Sequence, residues 1–380
     1  MRRKVLFLTG IRSDFYIQRR LIKAVDKHPK LRMFLVVSGA HLKKKFGSTI
    51  KEIKKEKIKI YKTIDNLKLL KGKDSRLKAL SIQLSELIKI VLKIRPHIIV
   101  SPFDREESLT TAIIGQYLNI PVAHLGAGDY TKYNTDGIVR HAVTKLSHLI
   151  FCSTKKSFQN VIKLREQKFR IYNVGSLSVD RFKDIKKIRL KELKRKLGIT
   201  FDLQNLIFLI QHPVSNMLKL TEKHYKITLD AIDDLNCPTI IIRPNSDPGS
   251  EYINNVLNKY KFKKNRNIKI YKNIDEKLFI NILKYTKVLI GNSSMGIVEA
   301  PNLKIPVVNI GDRQKGRQKG NNVLYVKNNK NLIMNAIKKQ LTRKKKFSNP
   351  YKSHNTISKI LNVFLKIKIN SKLLNKQTLF

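Results

Sequence analysis

Acids are scarce in this chain of 380 residues: 27 Asp and Glu stand against 79 Lys and Arg, a formal net charge of +52. Cysteine is scarcer still. Cys152 and Cys237 supply neither a disulfide framework nor a metal-ligand pattern, which fits a reducing cytoplasm and a chain with no metal site. No apolar run approaches the ~20 residues of a bilayer-crossing helix, which excludes helical membrane spans. The basic start Met1-Arg2-Arg3-Lys4 precedes only the apolar stretch Val5–Leu8, too short for a signal peptide, so a cytoplasmic protein is expected. What the chain does have is core material. At 42% hydrophobic it is excluded from global disorder, and its length favours two domains over one.

The excess of positive charge invites a nucleic-acid reading, but its texture argues against one. The basic residues are 59 Lys and 20 Arg, with Lys spread through most of the chain. No aromatic-and-basic RNA signature and no paired Cys/His finger accompanies them. A Lys-rich solvated surface is the better reading, with no nucleic-acid partner and no membrane partner expected.

Apolar runs alternate with amphipathic stretches. Strands are expected at Val5–Thr9, Leu31–Ser38, His97–Ser101, Pro121–Leu125, Ile150–Ser153 and Arg170–Val174. Helices are expected at Phe15–His28, Ser75–Ile94 (stopped by Pro96), Ser108–Leu118, Gly137–Leu149 and Lys155–Leu164. The pattern then restarts, with strands at Leu206–Gln211, Thr239–Arg243, Ile268–Tyr271, Val288–Gly291 and Pro306–Ile310. Helices Leu190–Leu197, Leu218–Leu235, Ser250–Tyr260, Glu276–Tyr285 and Met295–Leu303 alternate with them. The fold class is therefore α/β: two Rossmann-like doubly wound domains, residues 1–182 and 190–350, with the ligand cleft expected between the carboxyl ends of their sheets. Residues 351–380 form a tail whose apolar stretch Ile357–Ile369 reads as a helix packing back on the body.

The chemically suggestive residues follow strands. Gly10-Ile11-Arg12-Ser13-Asp14 joins a tight turn, a cation and a helix start, a combination that suits an anion. An ordinary Asp cap beside a surface Arg fits the same residues. Asp104-Arg105-Glu106-Glu107 suits a cleft rim, where Asp104 can act on a substrate proton and Arg105 can orient it or bind an oxyanion. A capping cluster for the helix Ser108–Leu118 fits the same residues, and the two glutamates are expected to be mainly of that kind. His124-Leu125-Gly126-Ala127-Gly128-Asp129 allows backbone to approach a ligand, or simply turns the chain. Asp136 and Arg140 stand at i and i+4, the spacing of a helix-surface ion pair. In the second half, Gln211-His212-Pro213 ends a strand, and Arg243-Pro244-Asn245-Ser246-Asp247-Pro248-Gly249 is a turn-rich loop. The most informative block is Gly291-Asn292-Ser293-Ser294-Met295-Gly296-Ile297-Val298-Glu299-Ala300-Pro301. Hydroxyls and free N–H groups at a helix start suit a diphosphate, and Glu299 suits a ribose diol. Gly311-Asp312-Arg313 adds a basic loop.

Taken together, these blocks resemble the UDP-N-acetylglucosamine 2-epimerase family, in particular its hydrolysing branch, from about Lys4 to Val326. Asn119–His124, Arg140–His148, Gln211-His212-Pro213, Pro244–Ser250, Gly291–Pro301 and Pro306–Gly316 carry the resemblance in order and register. It implies a GT-B-like pair of domains with the active site in the interdomain cleft, no cofactor, and a homodimer or homotetramer. The implied reaction takes UDP-N-acetylglucosamine and water to N-acetylmannosamine and UDP, through elimination to a 2-acetamidoglucal. A different nucleotide amino sugar (GDP-linked N-acetylglucosamine or a UDP-diacetamido sugar) and a binding protein with weakened catalysis are the alternatives.

By the resemblance, Arg12, His212, Asn245, Ser293, Ser294 and Arg313 hold the nucleotide and Glu299 the ribose. Asp104 and Asp136 transfer protons, with Asp14, Arg105 and His212 in support. Five positions depart from the family pattern: in the first block, Ile11 and Ser13 replace the commoner Thr and Ala. Gly126 and Gly137 stand where acids are usual, and Phe103 replaces the usual Gly before Asp104. The departures imply an altered sugar, slow turnover, or an acid relocated to a residue such as Asp129 or Glu106.

Overall fold

The computed structural model of the chain describes residues 2–379 apart from 68–73, 132–134, 184, 245, 246, 248, 345, 353, 354 and 378, and apart from the side chains of 45, 215 and 216. Two compact units result. One comprises Met1–Tyr130, Asp136–Arg181 and Ser353–Phe380; the other comprises Thr131–Thr135 and Phe182–Lys352.

The first unit is built on strands β1 (Arg3–Thr9), β2 (Leu31–Ser38), β3 (Ile60–Ile64), β4 (Ile98–Pro102), β5 (Val122–Ala127), β6 (Leu149–Cys152) and β7 (Ile171–Asn173). They pair in the order β3-β2-β1-β4-β5-β6-β7, all parallel. Uninterrupted apolar runs form such strands because both faces are covered. Val5 and Phe7 enter one core with Phe364, while Leu6 and Leu8 enter another with Leu87 and Val91 of the helix Ser75–Ile94. That helix ends at Arg95, which takes a left-handed conformation (φ 48°) directly before Pro96.

The second unit carries β8 (Ile207–Ile210), β9 (Thr239–Ile242), β10 (Ile268–Tyr271), β11 (Val288–Gly291), β12 (Val307–Ile310) and β13 (Val323–Val326). Their order is β10-β9-β8-β11-β12-β13, again parallel. Gly291 is obligatory where β11 ends: its φ is 119°, and a Cβ there would lie 2.0 Å from the Ile210 carbonyl oxygen.

Strand order reverses between β1 and β4 in the first sheet and between β8 and β11 in the second. These reversals are the switch points at which open parallel sheets bind ligands beyond their strand ends. Gly10–Asp14 and Asp104–Glu107 follow β1 and β4; Gln211–Pro213 and Asn292–Ser294 follow β8 and β11.

The C-terminal segment belongs to the first unit. Ile360 and Phe364 of the helix Thr356–Lys366 and Leu373 of the short helix Ser371–Leu374 are buried in the same core as Val5 and Phe7. Two expected elements come out differently. The helix read at Met295–Leu303 is a five-residue helix, Ser294–Val298, followed by a 3-10 turn, Ala300–Leu303, because Pro301 has no N–H to extend the α-ladder. The helix read at Leu218–Leu235 starts at Thr221, after a 3-10 stretch over Ser215–Leu220.

Candidate active site

At the first switch point, Gly10 leaves room for a carboxyl group. A Cβ on Gly10 would fall 1.5 Å from Oε1 of Glu107, which sits 4% exposed in the first turn of the helix Glu106–Tyr117. Burial pushes the Glu107 carboxyl above its usual range, with Arg105 opposing and the Glu106 charge adding to the rise. Arg105 lies between the two glutamates, 3.7 Å from Glu107 and 3.9 Å from Glu106, and Glu106 also pairs with Arg76. Arg12 opens the helix Arg12–Lys27, and Asp14 is buried in its first turn. The cap residue Ile11 has no side-chain oxygen to accept from the first amides of that helix.

Asp104 is held by Arg140. The Arg140 guanidinium is 3% exposed; Nη2 donates to Asp104 Oδ2, and Nη1 donates to the Asp129 carbonyl at 3.0 Å while lying 3.9 Å from the Asp129 carboxylate. Ser157 Oγ donates to Asp129 Oδ1 at 3.1 Å. One cation therefore reaches carboxylates beyond two separate strand ends, donating to Asp104 and lying beside Asp129. Arg140 projects from the helix Thr135–Leu146, whose first turn carries half-buried Asp136 beside buried Gly137.

Phe103, before Asp104, takes a left-handed conformation (φ 60°). Its N–H donates to the Leu125 carbonyl at 3.2 Å, and its carbonyl accepts from His124 Nε2 at 2.7 Å. The Phe103 ring fills the space beside Gly126: a Cβ there would lie 2.9 Å from Phe103 Cδ1, and Gly126 has φ 75°. The two departures are one exchange, in which a ring takes the room that a side chain at 126 would need. His124 is fully buried, and burial pushes its pKa down to about 4, so the ring is neutral and its Nε2–H is the donor to the Phe103 carbonyl.

In the second unit, the Asn292 side chain clamps the backbone of His212, accepting from its N–H at 2.7 Å and donating to its carbonyl at 2.8 Å. The Asn292 carbonyl in turn accepts from Arg313 Nη1 at 3.2 Å and Gln314 Nε2 at 3.0 Å. His212, Asn292 and Arg313 line one cavity of about 40 Å³ with Thr221, Asp312 and Asn328. His212 Nδ1 lies 3.7 Å from the Asp247 carboxylate. Ser293 caps the helix Ser294–Val298, its hydroxyl accepting from Met295 N–H at 3.4 Å, and Ser294 is exposed at the helix start. Glu299 is 5% exposed at the opposite end of that helix. Asn245 lies outside the described residues.

The structure thus gathers His212 and Arg313 at one cavity, with Ser293 and Ser294 following its Asn292, while Asp104 turns to Arg140 and Arg105 to Glu106 and Glu107. Arg140, read from the sequence only against Asp136, also reaches across to Asp104 and Asp129. Asn292 was read as part of a block without a role of its own. A buried Asn directly after a strand-ending glycine was the available signal, since its amide can bond two backbone groups at once.

The family model for UDP-N-acetylglucosamine 2-epimerase matches residues 23–365. A Campylobacter jejuni protein named GDP/UDP-N,N'-diacetylbacillosamine 2-epimerase (hydrolyzing) is 33% identical, with 85% of this chain and 84% of that protein covered. The Legionella pneumophila UDP-N,N'-diacetylbacillosamine 2-epimerase (hydrolyzing) is 30% identical over 99% of both chains. Among solved structures, the Neisseria meningitidis UDP-GlcNAc 2-epimerase bound to UDP-GlcNAc superimposes with a TM-score of 0.78 at 17% identity, covering 96% of this chain and all of that one, a likeness of fold.

Proposed function

The chain belongs to the UDP-N-acetylglucosamine 2-epimerase family, and we propose that it is a hydrolysing 2-epimerase whose substrate is a nucleotide-linked N,N'-diacetylbacillosamine. The observation that carries this reading is the pair Asp104 and Asp129 fixed on one buried Arg140. A 2-epimerase needs a base on one face of the sugar and an acid for the other, and Asp129 supplies the carboxylate that positions 126 and 137 lack. One carboxylate removes the proton from C2 as the C1–O bond to the diphosphate breaks. Water then adds its oxygen to C1, and a proton reaches C2 from the opposite face, releasing the free 2-epimer. Departing diphosphate charge falls to His212, Arg313, Ser293 and Ser294, with Arg12 and Arg105 supporting, and Glu299 takes the ribose. Asp136 and Asp14 are the remaining acids of this chemistry.

Two features support the diacetyl sugar. Relatives matched over 84% and 99% of their length bear its name. The Phe103 ring also gives the neighbourhood of Asp104 an apolar wall, which suits the methyl of a second acetyl group better than a hydroxyl. UDP-N-acetylglucosamine is the second reading, favoured by the family description. Purified protein should be incubated with UDP-N-acetylglucosamine and with UDP- and GDP-linked N,N'-diacetylbacillosamine. Faster release of nucleoside diphosphate and free 2-epimer from a diacetyl sugar is expected. Preference for UDP-N-acetylglucosamine would reverse the order of the two readings, and turnover of none would remove both.

A further inference from the structure

The helix that carries Asp136 and Arg140 ends against a residue from the far end of the chain. Lys376 Nζ donates to the carbonyls of Thr144 and Ser147, both at 2.9 Å, and lies 2.6 Å from Glu166 Oε2. Its side chain is 9% exposed. Two carbonyls accept from the ammonium, and the Glu166 carboxylate beside it balances its charge. The carbonyls lie at the carboxyl end of the helix Thr135–Leu146, where the helix dipole is negative and a cation is favoured. The segment bearing Lys376 is itself pinned from the body: buried Arg170 donates to the carbonyls of Leu373 at 2.6 Å and Lys372 at 3.1 Å. Each side gives its cation to the other's backbone.

That anchor connects to the acid cluster through consecutive hydrogen bonds. Thr144, whose carbonyl Lys376 holds, places its hydroxyl 3.2 Å from His124 Nδ1. His124 Nε2 donates to the Phe103 carbonyl, one residue before Asp104. One turn before Thr144 on the same helix, Arg140 grips Asp104 and Asp129. We propose that Lys376 is a positioning residue for the 2-epimerase reaction: from the C-terminal segment it fixes the last turn of the helix Thr135–Leu146, and so the placement of Arg140 and the two carboxylates it holds.

This inference rests on the 2-epimerase reading, and its test separates the two. Lys376→Met, Lys376→Arg and the control Lys372→Met, whose exposed side chain lies over the Phe169 ring, are compared with wild type for kcat, KM and amide exchange. Displacing catalytic groups without touching the nucleotide lowers kcat rather than raising KM. K376M should lose about tenfold in kcat with KM little changed, and amides 143–148 should exchange faster. K376R should recover much of the loss, because a guanidinium still donates to both carbonyls, and K372M should match wild type. Should K376M fail to fold, Lys376→Gln, which keeps two N–H donors without the charge, carries the same comparison. Folded K376M with wild-type kcat overturns the inference while leaving the functional reading intact. A wild type that turns over no nucleotide sugar overturns the functional reading, and this role with it; amide exchange then reports only whether Lys376 anchors the helix.

Discussion

Gly126 is a glycine for two reasons that act together. Its φ of 75° is a conformation that costs a residue with a Cβ about 1–2 kcal/mol. The ring of Phe103, itself held at φ 60°, stands 2.9 Å from where that Cβ would go. Restoring an acid at 126 therefore does not restore a simpler enzyme. Gly126→Glu should lose stability by about 2–4 kcal/mol in urea unfolding, and Phe103→Gly in the same chain should return part of that loss, a coupling that a double-mutant cycle reads directly. Asp129→Asn, which keeps shape and removes charge beside Arg140, should instead leave stability within about 1 kcal/mol and cost about 100-fold or more in kcat. If Asp129→Asn keeps full activity while Gly126→Glu raises it, the acid has not moved to 129.

At the scale of elements, buried polar groups bind the strand ends together, and they set a pH dependence. His41 is pushed down to about 3, and His124 and His148 to about 4, in each case chiefly by burial. Each pKa is depressed below the usual value near 6.5, so the unfolded chain takes up protons at a higher pH than the folded one. The stability these neutral rings require is fully present above about pH 6.5 and is lost as pH falls toward 4. The urea midpoint should therefore begin to fall near pH 6.5; a fall confined to the carboxylate range below about 4.5 would show that these histidines are not buried neutral.

Elements of this kind were legible to different degrees. β1, β4 and β8 are continuous apolar runs, and a strand covered on both faces leaves that trace in sequence. β3 was invisible because Tyr61, Lys62 and Thr63 are exposed on an edge strand with no apolar run to mark it. β13 and the helix Lys330–Leu341 were missed for a related reason: lysine and asparagine surround only a few buried residues, such as Ile333 and Ile337. The site followed the same logic. Residues at strand ends, Asp129 among them, were found by position, whereas Arg140 and Lys376 draw their roles from long-range partners that spacing along the chain cannot express. Arg140 meets Asp104 and Asp129, neither of which stands at helical spacing from it.

For the whole molecule, the net charge of +52 is mostly a solvated lysine surface. Few of its cations meet the chemistry: Arg140 on the acids, Arg313 at the His212 cavity, Arg12 and Arg105 at the first switch point, and Lys376 at the end of the helix that carries Arg140. In the proposed reaction this chain breaks a C1–O bond by removing the C2 proton and returns a proton to the other face. Turnover in heavy water tests that claim most directly. The released amino sugar, read by NMR, should carry one deuterium at C2, inverted configuration at that carbon, and an equal amount of nucleoside diphosphate beside it. A released sugar that keeps its original C2 hydrogen and configuration would be simple hydrolysis of the nucleotide sugar and would contradict the account.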